Sequence, residues 1–137
     1  AEVTHSHSEG IAGAIATAIA AASVVRGRDD LIAAALERTP EGRTRAGIDR
    51  ALGLPAYITF REAVLALGNG SDVTCPDTVP FCLWSAQHHL DDYEEAMWST
   101  VAACGDRDTT CAIVGGIVAL RSPVPKHWLA SREPLPS

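Results

Sequence analysis

At 137 residues, with 47% hydrophobic but only 5% aromatic side chains, the chain has room for one domain whose core must be built from aliphatic and small residues. A formal net charge of -6 opposes a phosphate backbone, and no Lys/Arg cluster or stripe of stacking aromatics offsets it, which argues against nucleic acid as a partner. Alternating runs of β-branched and aromatic residues are scarce, whereas Ala, Leu and Glu recur at spacings of three and four, so the pattern predicts an all-α domain.

Ser6 to Glu9 spells S-x-x-E, a capping box that opens the apolar run Gly10 to Val25. Gly10, Ala14, Ala18 and Ala22 share one face of that helix and Ile11, Ile15 and Ile19 an adjacent one, which predicts a central helix approached from several sides. The run is too short and too rich in Ala and Gly for a membrane span of about 20 strongly apolar residues. Glu9 and two histidines stand where a secretory signal needs basic residues, so the chain reads as cytoplasmic with no membrane partner. Asp29 to Arg38 reads as a second helix capped by the Asp pair, and about Glu41 to Leu52 as a third. Thr59 to Glu62 is another capping box, introducing a helix through Leu67 that stops at Gly68-Asn69-Gly70.

Asp77 to His89 is predicted helical with Pro80 in the first turn, and Asp91 to Cys104 follows as its hairpin partner, Glu94 standing three after Asp91. Asp108 can cap the last long helix, Thr109 to Leu120, which carries no charge before Arg121 and is predicted to be buried all round. From Ser122 onward four prolines predict an extended surface tail with a turn near Trp128, so the domain proper is 1–121 and the tail 122–137. Two helices apolar on every face are more than a chain of this length readily surrounds, which predicts either that a further segment, a second copy or another protein covers them or that alanine-rich composition alone mimics the signal. Cys75, Cys82, Cys104 and Cys111 fall as two pairs seven apart, a helical spacing unlike the C-x2-C of a zinc site, and read as buried free thiols. Trp84 and Trp98 sit on apolar faces and read as core, His88-His89 as a solvated helix end.

Chemistry concentrates in Gly105-Asp106-Arg107-Asp108-Thr109-Thr110, where two carboxylates and a hydroxyl converge at a helix start. Oxygen donors at that spacing suit a hard cation such as Mg²⁺ or Ca²⁺, although D-x-D-T before a helix is equally the signature of an N-cap with a spare surface aspartate. The glycine and glutamate of an EF-hand loop are absent from the positions that follow. Thr4-His5-Ser6-His7 precedes the first helix and reads either as a cap or as a metal pair, and Gly68-Asn69-Gly70-Ser71 either as a helix stop or as a loop whose amides approach a phosphate or sugar.

Taken together, Thr4-His5-Ser6-His7-Ser8-Glu9-Gly10-Ile11-Ala12-Gly13-Ala14, Leu67-Gly68-Asn69-Gly70, Asp77-Thr78-Val79-Pro80-Phe81 continuing to Trp84, and Gly105 to Thr110 with Ala112-Ile113-Val114-Gly115-Gly116-Ile117 resemble, in order and spacing, the later half of the ADP-ribosylglycohydrolases, a group that includes the dinitrogenase reductase-activating glycohydrolases. The resemblance implies an all-α orthogonal helical bundle, present here as a partial domain, with two magnesium ions at the base of a cleft for the ADP-ribosyl group. It assigns Asp106, Asp108 and Thr109 to the metals, His5 to the ribose end of the pocket, and Asn69 and Gly70, with Ser71 beside them, to the bound nucleotide. The implied reaction is hydrolysis of the glycosidic bond joining ADP-ribose to a protein side chain or a related compound. The implied partners are an ADP-ribosylated protein or ADP-ribose-like small molecule, and a missing amino-terminal half or partner chain.

The chain departs from the family pattern in two places. Arg107 stands where threonine is common, and nothing in these residues matches the T-D-D motif of the family's other half. A lone D-x-D-T supplies about half the oxygen donors two hard ions need, so the alternative is a non-catalytic helical binding or structural protein related to the family.

Overall fold

The computed structural model describes residues 6–134, and those residues form an all-helical domain: α1 (Ser8–Val25), α2 (Leu31–Arg38), α3 (Arg43–Leu52), α4 (Phe60–Leu67), α5 (Cys75–His88), α6 (Tyr93–Ala102), α7 (Arg107–Val118) and α8 (Lys126–Ser131). The helix surrounded on all sides is α5, rather than α1 or α7, and it packs against α1, α2, α3, α4, α6 and α7. Every residue from Thr78 to Ala86 is buried. Its polar residues hide this burial from a periodicity reading, because their hydroxyls are satisfied inside the protein: Thr78 Oγ1 donates to the Thr74 carbonyl at 2.8 Å, and Ser85 Oγ pairs with Thr100 Oγ1 at 3.1 Å.

The helix also begins two residues earlier than predicted, at Cys75, which places Pro76 in the first turn and Pro80 in the interior. Pro80 leaves the Pro76 carbonyl without its helical donor, and its ring takes up the space beside Gly47, where a Cβ would lie 2.5 Å from Pro80 Cγ. That missing side chain lets α3 approach α5. Next to Pro80, Phe81 stacks on Trp84 (centroids 6.5 Å) and meets Phe60 of α4 edge-on at 6.0 Å, so three aromatic residues form one cluster in a largely aliphatic core.

The Thr59–Glu62 capping box of α4 is present in both directions. The S-x-x-E at α1 is not a box. His7 is the N-cap, its Nδ1 accepting the Glu9 N–H at 3.2 Å, and the Glu9 carboxylate reaches instead to α3, accepting from the N–H groups of Arg43 and Thr44 (both 2.8 Å) and from Thr44 Oγ1 (2.6 Å). At α2 the Asp pair caps nothing: Asp30 binds Arg28, and Asp29 binds Arg121, which also holds Asp91 at 2.8 Å and so ties three loops together. The hairpin helix α6 is capped one residue later than predicted, by Asp92 with Glu95.

Further corrections concern exposure. Trp98 is 58% exposed and meets Trp128 edge-on at 6.1 Å, while Trp128 also contacts Tyr93, so the turn predicted near Trp128 is a short helix that anchors the tail. Of the four free thiols only Cys82 is fully buried, and its desolvation raises its pKa far above the usual thiol value; Cys104 is exposed. His89 is half-buried, and the loss of solvent lowers its pKa, while His88 packs on Trp84 with centroids 4.2 Å apart and Nδ1 2.9 Å from the Trp84 carbonyl.

Helix α1 meets the length and composition of a membrane span, but Ala12, Ala16, Ala20 and Val24 are buried against the bundle. Its opposite face, with Ala14 and Ala18, is exposed, and so are Ala112 and Gly116 of α7. Alanine and glycine make both helices look uniformly apolar, yet exposing them leaves little area in water, which is why the fold tolerates an open side. Gly116 has no atom within 4 Å of where a Cβ would stand. Gly116→Ala is therefore expected to raise the stability of this chain by about 0.5–1 kcal/mol through helix propensity, read as an increase in the denaturation midpoint.

Candidate metal-binding turn and its supporting loop

Helix α7 starts at Arg107 because Asp106, and not Asp108, is its N-cap: Asp106 Oδ1 accepts the Thr109 N–H at 3.2 Å. Bonds from the Thr109 hydroxyl and N–H hold the Asp106 carboxyl below the usual carboxylate range. Thr110 turns inward, is buried, and donates its hydroxyl to the Asp106 carbonyl at 2.8 Å, which locks the first turn from beneath. Asp108 and Thr109 face solvent in that turn. The cap reading is met by Asp106 Oδ1, and the Asp108 carboxylate and the Thr109 side chain are exposed at the same helix end.

The Gly68–Ser71 loop packs directly on this turn. Asn69 Nδ2 donates to the Ala103 carbonyl at 2.8 Å, and Asn69 Oδ1 accepts from Ser71 N (3.2 Å) and Ser71 Oγ (2.7 Å). A Cβ on Gly70 would stand 3.1 Å from Asp106 Cβ, and one on Gly105 would strike the Asn69 carbonyl and lie 2.6 Å from Asn69 Cγ. The two glycine-bearing motifs, 34 residues apart along the chain at Asn69 and Ala103, form a single block. Both non-glycine residues with positive φ among those described, Val73 (53°) and Cys104 (67°), lie in the two loops that meet here, so backbone strain is concentrated beside the turn. Asn69 and Gly70 are therefore engaged within the fold, the Gly70 N–H going to the Asp77 carbonyl at 3.1 Å, whereas Ser71 is at the exposed edge. His5 lies outside the described residues.

Asp108 and Thr109 also form one end of an open groove of about 580 Å³ between α1 and α7, floored by Thr17, Ala21, Ala112, Ile113 and Gly116. This is the exposed apolar side of the two helices. Its chemistry is uneven: hard oxygen donors at one end, and small apolar side chains along the rest.

The donor types fit a hard divalent cation, but only as part of a coordination shell. No group of three His, Cys, Asp or Glu positioned to hold a metal occurs among the described residues. The positive end of the α7 dipole and the neighbouring Arg107 oppose a cation, so the two carboxylates must outweigh both. Sequence reasoning missed Glu9 as the cap of α3 and Asp77 as the residue against the loop. Glu9 partners are 34 and 35 positions away, beyond the reach of any local pattern.

A helical domain with an oxygen-donor turn at the end of an open apolar groove defines an all-α protein built around an exposed helix terminus. The family follows from comparison of the whole chain: residues 1–134 match the model for ADP-ribosylglycohydrolase, and the chain belongs to that family, whose function is of the glycohydrolase type. No curated protein and no solved structure matches the chain.

Proposed function

We propose that this chain supplies Asp106, Asp108 and Thr109 to a two-magnesium site that hydrolyses the glycosidic bond between ADP-ribose and a protein side chain or related ADP-ribosyl compound. The observation that carries this reading is the exposure of Asp108 and Thr109 on the first turn of α7, where they line one end of the groove beside the N-cap Asp106. Magnesium, when bound, would orient the ribose hydroxyls and polarise a water against oxocarbenium-like charge. Thr109 N–H holds the Asp106 carboxylate at the helix end; Asp108 contributes a second carboxylate; Thr110 fixes the turn. The apolar floor at Ala112, Ile113 and Gly116 accepts a packed partner segment and keeps water from that side.

The remaining oxygen donors come, in this proposal, from an amino-terminal half of the family type docked along the groove. Asp106, Asp108 and Thr109 hold the ions; His5 and Ser71, with the loop at Asn69 and Gly70, contact the ADP-ribosyl ligand. The experiment combines the chain with the amino-terminal half of a family member, Mg²⁺ and an ADP-ribosyl-arginine peptide, and follows free ADP-ribose. Release is expected to fall tenfold or more, about 1.4 kcal/mol of transition-state stabilisation, in Asp106→Ala and in Asp108→Ala. Release that survives both substitutions overturns the metal assignment, and none from the intact combination favours a non-catalytic helical binding module.

A further inference from the structure

Against the Gly68–Asn69–Gly70 loop stands Asp77, the third residue of α5. It grips the loop in three ways. Its Oδ2 accepts the Asp72 N–H at 2.9 Å, its carbonyl accepts the Gly70 N–H at 3.1 Å, and its side chain lies so close to Gly68 that a Cβ there would stand 2.9 Å from Asp77 Cγ. Gly68 has φ of 93°, a conformation open to glycine, so this approach is built into the backbone. The same loop also touches Gly105 and Asp106 with equally little room. Asp77, the loop and the α7 turn are therefore packed without slack, and close-packed groups pass displacements on instead of absorbing them.

We propose that Asp77 is a positioning residue for Asp106: it sets the place of the metal-binding turn through the loop, without touching a ligand. Among the described residues the Asp77 carboxylate takes part in no ion pair within 4.0 Å, the pairs being those of Arg28, Arg45 and Arg121. Arg43 and Arg50 line the polar pocket of about 330 Å³ that Asp77 also borders, yet its hydrogen bond is to the loop. The competing role is purely structural, a first-turn carboxylate favouring the N-terminus of α5.

Three substitutions separate the two roles. Asp77→Asn discards the charge but keeps an oxygen that can accept the Asp72 N–H; Asp77→Glu keeps the charge but carries its oxygens one carbon further; Asp77→Ala removes both. In the isotope-labelled chain, with no metal added, the amide signals of Gly105, Asp106 and Thr109 are expected to move in the Ala and Glu variants and to return to the parent positions in Asn, with the signals of α2 unchanged throughout. In the magnesium-loaded combination with the amino-terminal half, Ala and Glu are expected to weaken magnesium binding about tenfold and Asn to restore it. If the Ala variant fails to fold, the Glu and Asn pair decides alone. Signals at the turn that stay put in Glu, or that move in Asn as much as in Glu, overturn the inference. The magnesium arm rests on the proposed function, whereas the amide arm does not, so a chain that never binds magnesium would sink that function and leave the positioning role standing.

Discussion

Gly105→Ala is expected to destabilise the protein by about 3 kcal/mol and to push the Gly68–Ser71 loop off the α7 turn. The added Cβ meets the Asn69 carbonyl, with Asn69 Cγ at 2.6 Å and the Asn69 carbonyl carbon at 2.7 Å, and most of what it strikes is backbone. A flexible side-chain tip can rotate away, but a backbone carbonyl can move only with its loop. Asn69 is held by Ala103 and Ser71, so its movement breaks those bonds as well. Denaturant unfolding of the variant measures the loss, with Gly53→Ala as the control. There a Cβ meets nothing nearer than 3.6 Å and the backbone is already helical, so stability is expected to change by less than about 1 kcal/mol. Equal effects at the two glycines would show that the contact between loop and turn is looser than its geometry states.

Glu9→Ala is expected to cost about 3 kcal/mol, more than any ordinary cap. Three donors lose their acceptor at once: the N–H groups of Arg43 and Thr44 at the open end of α3, and the hydroxyl of Thr44, a residue with no exposed surface. The Gly42 backbone that precedes α3 offers no side-chain cap in its place. Glu9→Gln keeps an oxygen acceptor and is expected to recover part of the loss. The same geometry sets a pH dependence. The Thr44 hydroxyl first, and then the Thr44 and Arg43 amides, hold the Glu9 carboxyl below its usual value of 4.5 against an opposing push from burial. A carboxyl whose folded pKa is depressed stabilises the protein fully above its unfolded pKa, so the Glu9 contribution is present at neutral pH. It is lost as pH falls from about 4.5 through the lower folded value. Stability measured against pH in that acid range should fall more steeply for the parent than for Glu9→Ala, and parallel curves would refute the assignment.

Several local rules carried over intact from sequence to structure because they involve neighbours in the chain. The Thr59–Glu62 box closes within one turn, and the stop at Gly68 follows from a conformation that glycine alone adopts freely. Boundaries slipped where two nearby residues compete for one cap. Asp91 and Asp92, or Asp106 and Asp108, are equally good acceptors on paper, and the packed position of the helix decides which side chain can reach the free N–H groups. Burial was misread where composition and area part company: α1 and α7 look apolar because they are rich in alanine and glycine, while α5 looks mixed because its threonine and serine find partners inside.

The amino-acid sequence by itself determined the helical class and the family resemblance, since residue type, spacing and propensity are local properties that survive without coordinates. Only the tertiary structure decided that the glycine loop and the D-x-D-T turn are one block, that Glu9 caps α3, and that Asp77 stands against the loop. Each of these depends on groups some 5 to 35 residues apart meeting within hydrogen-bonding distance, and that proximity is created by the packing of α5 against its neighbours rather than by any pattern along the chain.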